Sequence, residues 1–157
     1  MVRFAKEKDL LRVNELRRQV NEVHVEGRPD IFKPGFCQEL KDYARRVLED
    51  EDKDIIVVER DGNICGMACV EYIRKPESPY TFARNFYHVS EIAVDEAFQR
   101  QGVATELVTF MKEDAKAKGL ARIELDVWEF NKSAIEFYEA AGFQMYRRFL
   151  ELECEEA

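Results

Sequence analysis

The spacing of apolar residues along the chain changes period several times, and each change predicts an element. "VRFA" reads as a short strand, and in "DLLRVNELRRQVNEVH" leucine and valine recur at helical spacing with Asp9 available near the start. A break at "EGRPDIFKPG" precedes a second helical stretch from Phe36 to Leu48, and the acidic "EDEDKD" predicts a solvated link. Two strand-like runs then flank Asp61-Gly62, a hairpin signal, with Cys65 and Cys69 on one face of the second strand. After the proline-containing loop "KPESPYTFARN", "FYHVSEIAV" predicts another strand. Residues Ala104 to Lys118 form a helix ended by Gly119, "RIELDVW" alternates as a strand, and a helix runs from Asn131 to a stop at Gly142. "FQMYRRFLELE" predicts a last strand. The order is that of an α/β protein with a mixed sheet.

Between the strand ending "EIAV" and the helix near Ala104 lies Gln99-Arg100-Gln101-Gly102-Val103-Ala104. A helix opening there leaves its first backbone N–H groups unpaired, and the helix dipole adds positive potential. Gly102 allows close approach of a ligand to the backbone, so a phosphate or pyrophosphate is the natural occupant. Neither GxxxxGK[ST] nor GxGxxG is present, which argues against a nucleotide kinase and a dinucleotide dehydrogenase.

Composition narrows the picture. The 157 residues suit one domain, here taken as 1–157, and a net charge of −8 argues against a nucleic-acid binder. No stretch reaches the roughly 20 apolar residues of a membrane span and the start does not read as a signal peptide, so a cytoplasmic protein is expected. The four cysteines, Cys37, Cys65, Cys69 and Cys154, are scattered and only His24 and His88 accompany them, so no metal site is expected, and Cys65 and Cys69 read as reduced core cysteines.

"EIAVDEAFQRQGVATELVTFM" and "LDVWEFNKSAIEFYEAAGF", in that order, resemble the GCN5-related N-acetyltransferase (GNAT) family. The second block is similar to its ribosomal-protein N-terminal acetyltransferase branch, and the N-terminal half matches no branch with a known acceptor. The resemblance implies a mostly antiparallel, twisted mixed sheet flanked by helices. It also implies an acetyl-CoA-dependent transfer to a primary amine, on a small molecule or on a protein or peptide. In that reading the main chain of Gln101, Gly102, Val103, Ala104 and Thr105 holds the pyrophosphate, flanked by Gln99 and Arg100. Gln99 stands where arginine is commoner, and Ala104 replaces a second glycine; Arg100 serves either as phosphate contact or as solvated charge. The backbone of Ile92, Ala93 and Val94 pairs with pantetheine like a strand. Asn131 both caps its helix and hydrogen-bonds pantetheine, and the Tyr138 hydroxyl assists the departing thiolate.

The acceptor amine must be neutral to attack, and two carboxylates offer themselves as base. Glu91, acting through water, is placed ahead of Asp126, which matches the position of a glutamate in the ribosomal-protein branch but is one carbon shorter. Either carboxylate also reads as a solvated strand-face charge or as the partner of a nearby basic residue. Acceptor recognition falls, by family analogy, to "NEVHVEGRPDIFKPGF" and "YIRKPESPYTF", where His24, Glu26, Asp30 and Tyr80 are candidates and His24 reads first as a loop residue. A catalytically inactive CoA-binding regulatory module and a cofactor-free interaction domain are the competing functions. A homodimer through the last strands fits the fold.

Overall fold

A computed structural model describes residues Met1–Glu155. The strands are β1 Val2–Phe4, β2 Lys53–Arg60, β3 Asn63–Lys75, β4 Arg84–Val94 and β5 Ile123–Leu125, and the helices are α1 Leu10–Gly27, α2 Gln38–Glu49, α3 Val103–Ala117 and α4 Lys132–Ala140. The chain divides into two compact units, the first from Met1 to Asp126 and the second from Val127 onward.

In the first unit the sheet runs β1-β2-β3-β4-β5. Strands β1 to β4 pair antiparallel with one another in succession, and β5 is parallel to β4. The α/β class and the mostly antiparallel mixed sheet are as expected. Strand β2 shows why the sheet is covered on both sides: Ile55, Ile56, Val57 and Val58 are consecutive and fully buried. Such a continuous apolar run is the mark of a strand with both faces occupied. Ile55 and Val57 join Leu16, Val13 and Val47 in a cluster beneath α1 and α2. Period-two alternation sends Ile56 and Val58 to the other face, where α3 brings Leu107 and Met111. The predicted hairpin forms at Asp61 and Gly62, with φ +51° and +77°, the left-handed pair that a two-residue turn requires.

Several boundaries move. Helix α1 continues through Gly27, so His24 and Glu26 are helical and not part of a loop. Asp9 does not cap that helix with its side chain. Its carboxylate takes two bonds from Arg3, at 2.8 and 3.0 Å, and one from the Lys6 amide at 2.8 Å. Helix α2 starts at Gln38, two residues after Phe36, and α3 at Val103, one before Ala104. Cys65 and Cys69 are both buried and free, but the register slips beside Cys65, where Val58 pairs with Gly66 and Glu59 with Ile64. That irregularity breaks the alternation that predicts a shared face.

The sheet is shorter than the sequence predicts. Strand β5 covers three residues, leaving Asp126, Val127 and Trp128 outside it, and the predicted last strand from Phe143 is absent among the described residues. Alternating composition makes a segment able to pair, but a strand exists only where a neighbour supplies the ladder.

Candidate active site

The site is built on an irregularity of β4. Opposite β3, Val70 pairs with Val89 and Cys69 with Glu91, so Ser90 is an extra residue, and its hydroxyl donates to the Cys69 carbonyl at 3.2 Å. A bulge bends and twists its strand. On its other side β4 pairs with β5 only over Tyr87, His88 and Val89. Beyond the bulge, Glu91 to Val94 keep their ladder to β3, while among the described residues no strand pairs with their outer edge. Main-chain donors and acceptors are thus offered along Ile92, Ala93 and Val94, the geometry an extended ligand with amides can join.

The turn that follows is held at three points. Asp95 accepts from the Ala97 amide at 3.1 Å and pairs with Arg12 of α1. Burial pushes its carboxyl upward, but the Ala97 amide and Arg12 outweigh it and hold the group below the usual carboxylate range. The Glu96 amide donates to Gln19 of α1 at 3.1 Å. Arg60 at the end of β2 donates to the Gln101 carbonyl at 2.9 Å and to Glu106 at 2.7 Å. Within this frame Arg100 and Gly102 adopt φ of +61° and +81°. The first regular bond of α3 runs from the Glu106 amide to the Gly102 carbonyl, at 3.0 Å. The amides of Val103, Ala104 and Thr105 precede it at the positive end of the helix dipole. Gln99, Arg100, Gln101 and Gly102 are exposed beside them, and nothing stands within 4 Å of a Cβ placed on Gly102. Glycine is therefore required there by its backbone angle, not by crowding.

Crowding acts instead at Gly66, a residue the sequence reading passed over. A Cβ there would lie 2.4 Å from Cγ1 of Val103, so the first turn of α3 sits directly on β3. A lone glycine inside a strand pattern is the signal that could have found it.

Glu91 projects toward α1. Its carboxylate receives two bonds from Arg17, Nε to Oε2 at 2.7 Å and Nη2 to Oε1 at 3.1 Å. The Cys69 thiol also donates to Oε2, at 3.3 Å. Arg17 has a side chain only 4% exposed, against 33% for Glu91. Its guanidinium lies 5.2 Å from the centroids of both Phe36 and Tyr43 and also donates to Asn14 and the Leu40 carbonyl. Burial, and next the Glu91 charge, push the Cys69 thiol well up, so it stays protonated and unreactive. His24 stacks on Phe32 at 4.9 Å; burial lowers its pKa, opposed by the nearby charge of Glu91. The sequence marks Arg17 only as a helical arginine, because the carboxylate and rings it meets come from β4, from α2 and from Phe36 just before α2.

The remaining candidates are spread. Asp126 is exposed, one residue beyond β5, and Asp30 pairs with Arg28 at 2.9 Å. Tyr80 is exposed in the loop after β3. In the second unit, Asn131 caps α4 by accepting from the Ala134 amide at 3.4 Å, as expected of its structural role. Tyr138 is buried, its ring 5.6 Å from Phe137 and 5.5 Å from Phe143. Burial pushes its hydroxyl pKa up to about 12. Among the described residues no group of three or more His, Cys, Asp or Glu could hold a metal, and no helix is long and apolar enough to cross a membrane.

A bulged strand with an open edge, running through a left-handed turn into a helix N-terminus, has the geometry that suits an extended, phosphate-bearing ligand. The sequence model of the acetyltransferase (GNAT) family matches residues 15–143, and the chain belongs to that family. It is 26% identical over 121 residues to L-ornithine N5-acetyltransferase of Arabidopsis thaliana, covering 76% of this chain and 52% of that protein. The chain thus spans about half the length of that relative. The likeness to the [ribosomal protein bS18]-alanine N-acetyltransferase of Haemophilus ducreyi is 38% over 52 residues, 33% of this chain and 36% of that one. The crystal structure of a mutant protein from Bacillus halodurans superposes with a TM-score of 0.95 at 26% identity, covering 99% of both chains.

Proposed function

We propose that the protein is an N-acetyltransferase that moves the acetyl group of acetyl-CoA to a primary amine. The observation that carries this reading is the open edge of β4 at Ile92 to Val94 leading directly into the Gly102 turn and the free amides of α3, in a chain of this family. The amides of Gln101 to Thr105 hold the pyrophosphate and the β4 edge aligns pantetheine, with Asn131 as a further donor. Arg60 shapes the turn from behind. The nitrogen lone pair attacks the thioester carbon, the C–S bond breaks, and Tyr138 gives its proton to the departing sulfur. A hydroxyl with pKa near 12 is a donor that keeps its proton at neutral pH. The amine proton leaves through water to Glu91, whose position is fixed by Arg17 and whose carboxylate is one-third exposed. Asp126 is the second candidate for that proton.

We take both units as one catalytic domain. The acceptor is read as a small cationic amine, because the Arabidopsis relative is named for L-ornithine and this chain is acidic. The short ribosomal-protein likeness makes a peptide N-terminus the other class to test. The exposed free thiols of Cys37 and Cys154 fit a reducing compartment, hence the cytoplasm. Calorimetric titration with CoA, repeated on Gly102→Glu, tests the cofactor assignment. Binding is expected to vanish in the folded variant, and unchanged affinity would sink it. CoA release across ornithine, polyamines, aminoglycosides and alanyl peptides tests the transfer. Tight CoA binding with no release on any amine would instead leave a regulatory module.

A further inference from the structure

The turn from β4 into α3 rests on consecutive residues of β3. At its start the Asp95 amide donates to the Cys65 carbonyl at 2.9 Å. At its end Val103 lies so close to Gly66 that a Cβ there would stand 2.4 Å from its Cγ1. Cys65 is the extra residue of a bulge in β3, since Val58 pairs with Gly66 and Glu59 with Ile64. A regular strand sends neighbouring carbonyls to opposite edges, and a bulge turns the strand and breaks that rule. Beside Cys65, the Ile64 carbonyl accepts from Nε of Arg12 in α1 at 3.0 Å. The same guanidinium reaches the Asp95 carboxylate through Nη2. Ile64, Cys65, Asp95 and Arg12 are thus tied together at the root of the turn.

Asp95 is its pivot. The carboxylate, 14% exposed, accepts from the Ala97 amide at 3.1 Å, and the Asp95 carbonyl accepts from the Phe98 amide at 2.8 Å. Two of its groups therefore shape the chain that follows. A carboxylate this buried holds its charge only when a cation and donors meet it. Arg12 is that cation, from a helix 83 residues earlier in the chain. We propose that Arg12 is a positioning residue for the cofactor: by holding Asp95 it fixes the course of residues 95–102, and so the direction in which the amides of Val103, Ala104 and Thr105 point. The inference rests on the reading that those amides hold the pyrophosphate of acetyl-CoA. Arg12 acts through Asp95, not by touching the phosphates. Because the first N–H groups of a helix share one axis, a small rotation of the turn misdirects all of them at once.

Calorimetric titration with CoA separates this role from a merely structural one. Arg12→Met should raise the CoA Kd roughly 10-fold, the scale of one partly buried hydrogen bond between charged groups. The KM for acetyl-CoA should rise with it, while kcat at saturating acetyl-CoA changes far less, because binding is weakened and chemistry is not. Asp95→Asn keeps an oxygen for the Ala97 amide and removes the charge that Arg12 meets. It should raise the Kd by a similar factor, and it reads the same contact if Arg12→Met fails to fold. The double variant should stay near roughly 10-fold rather than multiply to about 100-fold, because both changes break one contact. Lys118→Met is the control, breaking the pair with Asp114, a carboxylate 10% exposed near the other end of α3. It should lower the unfolding temperature and leave the CoA Kd as in the wild type. An Arg12→Met chain with wild-type CoA affinity overturns the proposal. So does a double variant whose effects multiply, or a loss of affinity in Lys118→Met equal to that in Arg12→Met. A wild-type chain that binds no CoA would instead remove the acetyltransferase reading, and this role with it.

Discussion

The turn after β4 and the tail after Gly142 are both exposed, and they are exposed in opposite ways. In the turn the side chains are polar and the chain offers backbone N–H groups, fixed by Asp95, by Arg60 and by positive φ at Arg100 and Gly102. In the tail the exposed side chains from Met145 to Leu152 are mostly apolar, with Arg147, Arg148 and Glu151 among them. A surface of oriented donors is completed by a polar anion, and a surface of phenylalanine and leucine only by another apolar surface. The first region therefore suits a polar anion, and the second does not.

That contrast can be broken by experiment. Perturbing the turn and its supports should change ligand affinity or turnover. The largest expected effect is at Tyr138. Tyr138→Phe keeps the ring against Phe143 and removes the donor, so kcat should fall at least about 10²-fold with little change in acceptor KM. Wild-type turnover where chemistry limits the rate would leave Tyr138 a packing residue.

Next comes the carboxylate pair. Glu91→Gln should lower kcat/KM roughly 10- to 100-fold, most at low pH where the amine is least often neutral, with CoA affinity retained. It also leaves the buried Arg17 with a neutral partner, so a loss of about 1–3 kcal/mol in unfolding free energy should accompany it. Asp126→Asn should do neither; a larger kinetic loss there would transfer the base role to Asp126.

Gly66→Ala separates turn geometry from turn chemistry. The added methyl meets Cγ1 of Val103, and relieving that contact should cost about 1–3 kcal/mol and displace the start of α3, weakening CoA binding measured by calorimetry. Full affinity in that variant would show that the helix N-terminus does not hold the pyrophosphate. Arg60→Met should have a smaller effect, raising the CoA Kd a few-fold, as expected for one partly exposed hydrogen-bonded charge of about 0.5–1 kcal/mol.

The smallest effect is in pH. His24 has its pKa below the ordinary value near 6.5, so the unfolded chain binds the proton more readily. Its contribution to stability is present above that value and is lost as pH falls through it. His24→Gln should flatten the stability profile between about pH 7 and 5.

Much of this was written locally. The hairpin at Asp61-Gly62, the buried run Ile55 to Val58, the cap at Asn131 and the helix opening after Gly102 follow from residues a few positions apart, because turn angles, caps and side-chain periodicity are short-range properties. Tertiary structure alone decided the rest. The bulge at Ser90, which frees the β4 edge, arises from register against β3; Glu91 is tied to Arg17 across 74 residues and Arg60 to the Gln101 carbonyl across 41. The last strand is the plainest case. Alternation from Phe143 gives a segment the ability to pair, but pairing requires an edge within reach, and no property of those residues taken alone states which edge that is.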